Sequence, residues 1–240
     1  MTRDSRRVIA GDAGVLPKAS SAGEESLREQ LDTGCTSCTG RTLETVDLGS
    51  LVVVWAAWVD ESQSDRQRDP DTYILAAALT TGLKVEADLR EAMLALRTAR
   101  GGKLHWRDSD DARQAAIIQT VSRLPAEHLI VVRSCHPGER DERRRRLCLQ
   151  RLCLELDALG VETLTLESRG RADDRRDLQA LQTFRAQRVV SGTLRMYHQP
   201  GPAEPLLWIP DAVCGAVVAA RTRTPDHLAA ISSSCTFYDV

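Results

Sequence analysis

The run Leu51-Val-Val-Val-Trp-Ala-Ala-Trp-Val-Asp60 constrains this chain more than any other segment. It has no polar interruption, so no alternation divides a wet face from a dry one, and it ends on an acid. A run of this kind reads as a central strand buried on both faces, which demands layers on either side of a sheet. After the polar, turn-prone stretch 61–71 comes a second strand, TYILAAALT over 72–80, which a hairpin connection places beside the first.

Further along, Leu89, Met93, Leu94 and Leu96 carry helical spacing across 85–100, with Gly101-Gly102 as a stop. Residues 103–108 read as a short extended piece, and Asp108 or Ser109 as the cap of a helix running to about Leu124. HLIVVRSC over 128–135 is a strand, and 139–159 a long helix with Leu147, Leu152, Leu156 and Leu159 in one stripe, ended by Gly160. The remainder reads as a strand at 161–167, a helix at 174–190, a last strand at 193–198 and a final apolar helix at 209–221 entered through Pro210. Strands alternating with helices predict an α/β fold, a mixed sheet with helices on both faces and no internal repeat.

Residues 1–48 lack sustained apolar periodicity and read as a loosely ordered N-terminal extension before a folded domain over 49–240. The extension holds six basic and eight acidic residues up to Ser50, which leaves 26 of each for the rest, so it is no basic nucleic-acid arm. With a net charge of −2, affinity for nucleic acid has to come from local patches or from metal. No apolar run approaches a membrane span, the first residues lack a signal-peptide core, and seven cysteines fit reduced thiols, all of which points to the cytoplasm. Cys35-Thr-Ser-Cys38 has zinc-knuckle spacing without a second pair, and Cys135 beside His136 lacks an orienting third group. Phosphate-loop, nucleophile-elbow and zincin motifs are absent.

Three acids stand where apolar elements end or begin: Asp60 closes the strongest strand, Glu167 closes VETLTLE, and Asp211 opens DAVCGAVVAA. Ligands of α/β sheets bind beyond the carboxyl ends of strands, and two neighbouring strand ends plus a helix start would gather these carboxylates into a hard oxygen site for Mg²⁺ or Mn²⁺. Each acid has a plainer role available, Asp211 at a positive helix end and Glu167 in water at a strand end.

The segments VWAAWVDES, TYILAAALT, KLHWRD, LTLESR and LLWIPDAVCGAVVAAR, between Leu51 and Arg221, resemble the bacterial domain-of-unknown-function family numbered 3800. The resemblance implies a ribonuclease H-like fold, and that fold together with the three acids points to a metal-dependent nuclease acting on RNA or DNA. On that match Asp60 and Glu61 fall in the first motif, His105 in the second, Glu167 at the inner-strand acid and Asp211 in the last. Gln63 replaces a usual Gly, and Trp208 and Pro210 replace Gln and Ala. The expected roles follow: Asp60 bridges the metals with Glu167 and Asp211 on either side, and His105 orients water or meets phosphate unless it is a structural histidine. Strand alternation turns Glu61 away from Asp60.

Lys103, Arg169 and Arg171 are the candidates to grip phosphate, with Arg175 and Arg176 in the same basic cluster. Arg143 to Arg146 read as a solvated helix face, and RGRADDRRD, with Asp173, Asp174 and Asp177 as competing ligands, as a solvated loop and helix start. The rival reading is a non-catalytic adaptor module, and a protein partner or a homodimer stays open with either.

Overall fold

A computed structural model describes residues 55–97, 102–134, 136 and 138–240. The expected extension, with Cys35 and Cys38, lies outside the described residues, and so does Cys135.

The continuous apolar segment forms strand β1 (Trp55–Gln63), and TYILAAALT forms β2 (Thr72–Thr81), paired antiparallel to it from Trp55↔Thr81 to Gln63↔Tyr73. β3 (Glu127–Ser134) continues the antiparallel meander beside β2. β4 (Val161–Glu167) lies parallel to β1 on its other side, and β5 (Arg195–Gln199) parallel to β4. A sixth strand, β6 (Cys235–Asp239), lies parallel to β3, giving the order β5-β4-β1-β2-β3-β6. β5 is therefore not the last strand. The sequence did not signal β6, a five-residue edge strand with no fully buried side chain.

Helices cover both faces, as the sequence predicts. On one face α1 (Gly82–Ala95), α2 (Asp111–Val121) and α5 (Trp208–Thr222) pack with Trp58, Ile74, Ala76, Ile130 and Val132. On the other, α3 (Asp141–Ala158) and α4 (Arg171–Ala186) pack with Ala57, Val59, Leu75, Leu129 and Val131. The short α6 (Asp226–Ile231) follows α5. The most enclosed strand is β2, buried along all but its last residue, because it sits between β1 and β3 under both layers.

Boundaries moved where capping chemistry decided them. The cap of α2 is Asp110, whose carboxylate accepts from the Arg113 N–H at 2.8 Å, rather than Asp108 or Ser109. α4 starts at Arg171, earlier than expected, and stops at Ala186. Of the predicted leucine stripe of α3, Leu152 and Leu156 are buried and Leu159 packs against the core, while Cys148, Leu149 and Cys153 complete the buried row, with Arg144 and Arg145 buried on the same helix. The solvated-face reading of Arg143 to Arg146 thus fails for two of the four. Gly160 ends α3 with a φ of +74°, the left-handed region that glycine enters without cost. Among the described residues no helix is long and apolar enough to cross a membrane.

His128, at the start of β3, is 1% exposed, and neither ring nitrogen has a hydrogen-bond partner. Burial pushes its pKa down to about 4. A depressed histidine favours folding above its unfolded pKa of about 6.5, and that contribution is lost as pH falls towards the folded value. Measured by thermal unfolding of both proteins, wild type is expected to lose about 2 kcal/mol relative to His128→Leu between pH 8 and pH 5. An unchanged pH profile in the variant would contradict this account.

Candidate active site

Strand direction and register build the site. β1 and β4 run parallel, and their last register pair is Val59↔Leu166, so Asp60 and Glu167 follow side by side at the carboxyl ends of two neighbouring strands. Alternation carries both side chains to the α5 face, since Val59 and Leu166 belong to the opposite core. α5 crosses above β1, with the Cys214 thiol donating to the Asp60 carbonyl at 3.6 Å, and brings Asp211 from its first turn. The three acids line one cleft of about 1070 Å³ together with Lys103, His105, Trp106 and Arg169.

Each carboxylate is held. Asp60 Oδ1 accepts from the Glu61 N–H at 2.8 Å, and Asp211 Oδ2 from the Trp106 N–H at 3.0 Å. The Trp106 indole is wedged against α5 at Gly215 and meets His227 edge-on at 5.2 Å, while its carbonyl accepts from Gln114 at 3.1 Å. A Cβ on Gly215 would run into that ring. Gly215→Ala is therefore expected to destabilise by about 1–3 kcal/mol through overpacking, although alanine ordinarily gains up to ~1 kcal/mol over glycine inside a helix. Chemical denaturation checks it, and a variant as stable as the parent would show that the wedge yields.

Lys103 occupies the middle of the cluster. Its Nζ lies 3.3 Å from Asp60 Oδ2 and also pairs with Glu167, with the side chain 4% exposed. Burial pushes the Asp60 pKa up to about 8; Lys103 opposes the rise, while Asp211, Glu167 and a side-chain hydrogen bond with Glu167 add to it. Asp211 is likewise raised by burial, against the pull of Lys103 and the Trp106 N–H. Burial would lower Lys103, but Asp60, Asp211 and Glu167 hold its ammonium above the ordinary range. Among the described residues no group of three or more His, Cys, Asp or Glu side chains is arranged to hold a metal ion. The cation between Asp60 and Glu167 is the chain's own ammonium. The donor chemistry still suits Mg²⁺ or Mn²⁺, since all three acids offer hard oxygen and open onto a cleft with room for substrate.

The other candidates divide. His105 is exposed on the rim, its carbonyl accepting from the Ser109 hydroxyl at 2.8 Å. Glu61 leaves Asp60's face and pairs with Arg145 and, at 3.5 Å, with Arg169. Arg169 lines the cleft but also reaches Glu142 at 3.4 Å and Asp177 at 3.7 Å. Arg171 is exposed at the start of α4 and does not line the cleft, and Arg176 pairs with Asp173. Asp174 accepts from the Ser168 hydroxyl at 2.7 Å and the Arg169 N–H at 3.1 Å, which ties the loop after β4 to α4.

The solvated reading of RGRADDRRD fails at Asp177, 3% exposed and held by both arms of Arg145 at 2.9 and 2.8 Å. His198 Nε2 lies 3.1 Å from the same carboxylate, and the Tyr73 hydroxyl 3.4 Å from Arg145. This buried network, invisible to motif reading, underlies the strand that carries Asp60. Gly201 was also missed: a Cβ there would meet the ends of Glu167 and Lys103, so a bare backbone walls the site. Its carbonyl accepts the Trp208 indole N–H at 2.7 Å, which is what the buried Trp208 does here.

An antiparallel meander of three strands, extended from its first strand by two parallel ones, is a ribonuclease H-like sheet. The fold is ribonuclease H-like. No protein-family model and no curated protein matches the chain. Among solved structures it is similar to a chain of the PCNA:RNase HII complex from Archaeoglobus fulgidus, at 13% identity and a TM-score of 0.47 over 70% of this chain and 74% of that one. It is also similar to Bst-RNase HIII in complex with Mn²⁺, at 11% identity and a TM-score of 0.43 over 89% and 80%.

Proposed function

We propose that this ribonuclease H-like domain is a nuclease that hydrolyses phosphodiester bonds of RNA or DNA with Mg²⁺ or Mn²⁺ held by Asp60, Glu167 and Asp211. One observation carries the reading: three acids from three separate elements converge in one cleft, and the burial of Asp60 and Asp211 there is costly to the fold. A divalent ion, when bound, neutralises these charges, polarises a phosphate oxygen and makes water a stronger nucleophile. Asp60, between the other two elements, is the central ligand. The Trp106 N–H fixes Asp211, Gly201 leaves room for Glu167, and His105 and Arg169 stand on the cleft wall where a phosphate or attacking water would pass. On this reading the chain is a cytoplasmic member of bacterial family 3800, a placement that rests on the ordered motifs around Asp60, His105, Glu167 and Asp211.

A second reading, a non-catalytic adaptor of the same fold, draws on one feature: Lys103 supplies two of the acids with a counter-charge from within the chain. Labelled single- and double-stranded RNA, DNA and hybrid, incubated with Mn²⁺ or Mg²⁺ and with EDTA, separate the two. Cleavage that EDTA abolishes is the expected result; no cleavage of any substrate favours the adaptor.

A further inference from the structure

Lys103 is the most enclosed cation in the cleft, and the acids that would hold a divalent ion are the ones it pairs with. We infer that Lys103 is the resident counter-cation of the acid cluster and must give way when a divalent ion binds. Metal loading and release of its ammonium then become one event. The inference rests on the metal-site reading above and extends it to a competition within the chain.

Geometry supports a displaceable ion rather than a fixed strut. The ammonium lies 3.3 Å from Asp60 Oδ2 and also touches Glu167, which leaves no separate place for a second cation between those carboxylates. Two cations a few ångströms apart repel strongly in a site screened from water. The space around the lysine stem explains how it could leave. Gly201 presents bare backbone to it, and Gly102, just before it, has a φ of +91° that glycine tolerates freely. Lys103 also lines a second, smaller recess of about 130 Å³ with Asp108, Arg97 and Arg113, so the lysine stem has open space on more than one side. Released from the acids, the ammonium adds a positive charge to a cleft meant for phosphate.

The test compares full-length wild type, Lys103→Met and Lys103→Arg, stripped of metal and titrated with Mn²⁺, with free ion read by electron paramagnetic resonance. Lys103→Met is expected to bind at least about tenfold more tightly than wild type, because no ion pair has to be broken, and Lys103→Arg to stay within about threefold of wild type. Binding by Lys103→Met equal to or weaker than a measurable wild-type affinity overturns the inference and leaves the metal site standing. Absence of Mn²⁺ binding by all three proteins overturns both. Lys103→Met leaves buried acids uncompensated, so its metal-free form is also followed by far-ultraviolet circular dichroism. If it is unfolded, recovery of the folded signal at Mn²⁺ concentrations below the wild-type dissociation constant supports the inference, and no recovery at any concentration overturns it.

Discussion

Asp60→Asn is expected to abolish metal-dependent cleavage, by at least about three orders of magnitude, while making the metal-free protein more stable. The two halves of the result have one cause. The carboxylate is buried beside Asp211 and Glu167 with Lys103 as its counter-charge, and its pKa rises to about 8. A carboxyl raised in the folded state supports folding fully below its unfolded pKa, and that support is lost as pH climbs through the folded value. Asparagine keeps the shape and never ionises. In EDTA the variant should therefore melt above wild type at neutral pH, with a gap that widens between pH 5 and pH 8 and then levels off. A variant that loses cleavage and also melts lower at pH 8 would mean that Asp60 is a structural acid whose loss disrupts the fold. Full cleavage by the variant would remove Asp60 from the chemistry altogether. Opposed effects on stability and activity are what a site arranged for a ligand produces.

The second large effect lies on the opposite face of β1. Arg145→Met should cost about 3–5 kcal/mol, roughly 10 °C in melting temperature, because it strands Asp177 and Glu61 without their buried partner. Burial alone would raise the Asp177 carboxyl, but the hydrogen bonds of Arg145 and His198 and the nearby Arg169 bring it down to about 2. A lowered carboxyl supports folding above its unfolded pKa and loses that support as pH falls through the folded value. Between pH 4 and pH 2 the wild type should thus lose stability that the Arg145→Met protein does not have to lose. That window lies below the His128 window, so one acid titration followed by urea denaturation separates the two contributions. A loss under 1 kcal/mol at pH 7 would show that Arg169 takes over from Arg145.

Much of this was legible in the sequence. The unbroken run ending at Asp60 and the hairpin after it gave the β1–β2 pair, VETLTLE gave a strand whose end neighbours Asp60, and burial of β1 between two layers required helices on both sides. The position of the acids at element ends pointed to the cleft. What the sequence hid were contacts between distant segments. Lys103 stands two residues before His105 in a short irregular piece whose shape comes from packing, so no periodicity marks it as the centre of the cluster. Arg145 and Asp177 had a signal that motif reading passed over. Arg145 falls on the helical row of Leu149, Leu152 and Leu156, and Asp177 on that of Leu181 and Phe184, so each charge lies on a core-facing stripe. Charge runs suggested solvent, whereas the row assigned burial. β6 escaped because five residues at an edge bury too little apolar surface to write a pattern.

The parallel pairing of β1 with β4 also sets when the site comes into being. The β1–β2 hairpin is local in sequence, but Asp60 meets Glu167 only after the intervening β2, α1, α2, β3 and α3 have closed a long loop, and Asp211 joins from still further along. Non-local parallel contacts form late because the entropy of loop closure precedes their reward. A nascent or truncated chain ending before β4 lacks Glu167 and Asp211, and with them every pairing among the three acids. On the proposed metal-site reading, competence for a divalent ion would therefore belong to the finished topology, and metal uptake during refolding would read out the last long-range closure rather than the first collapse.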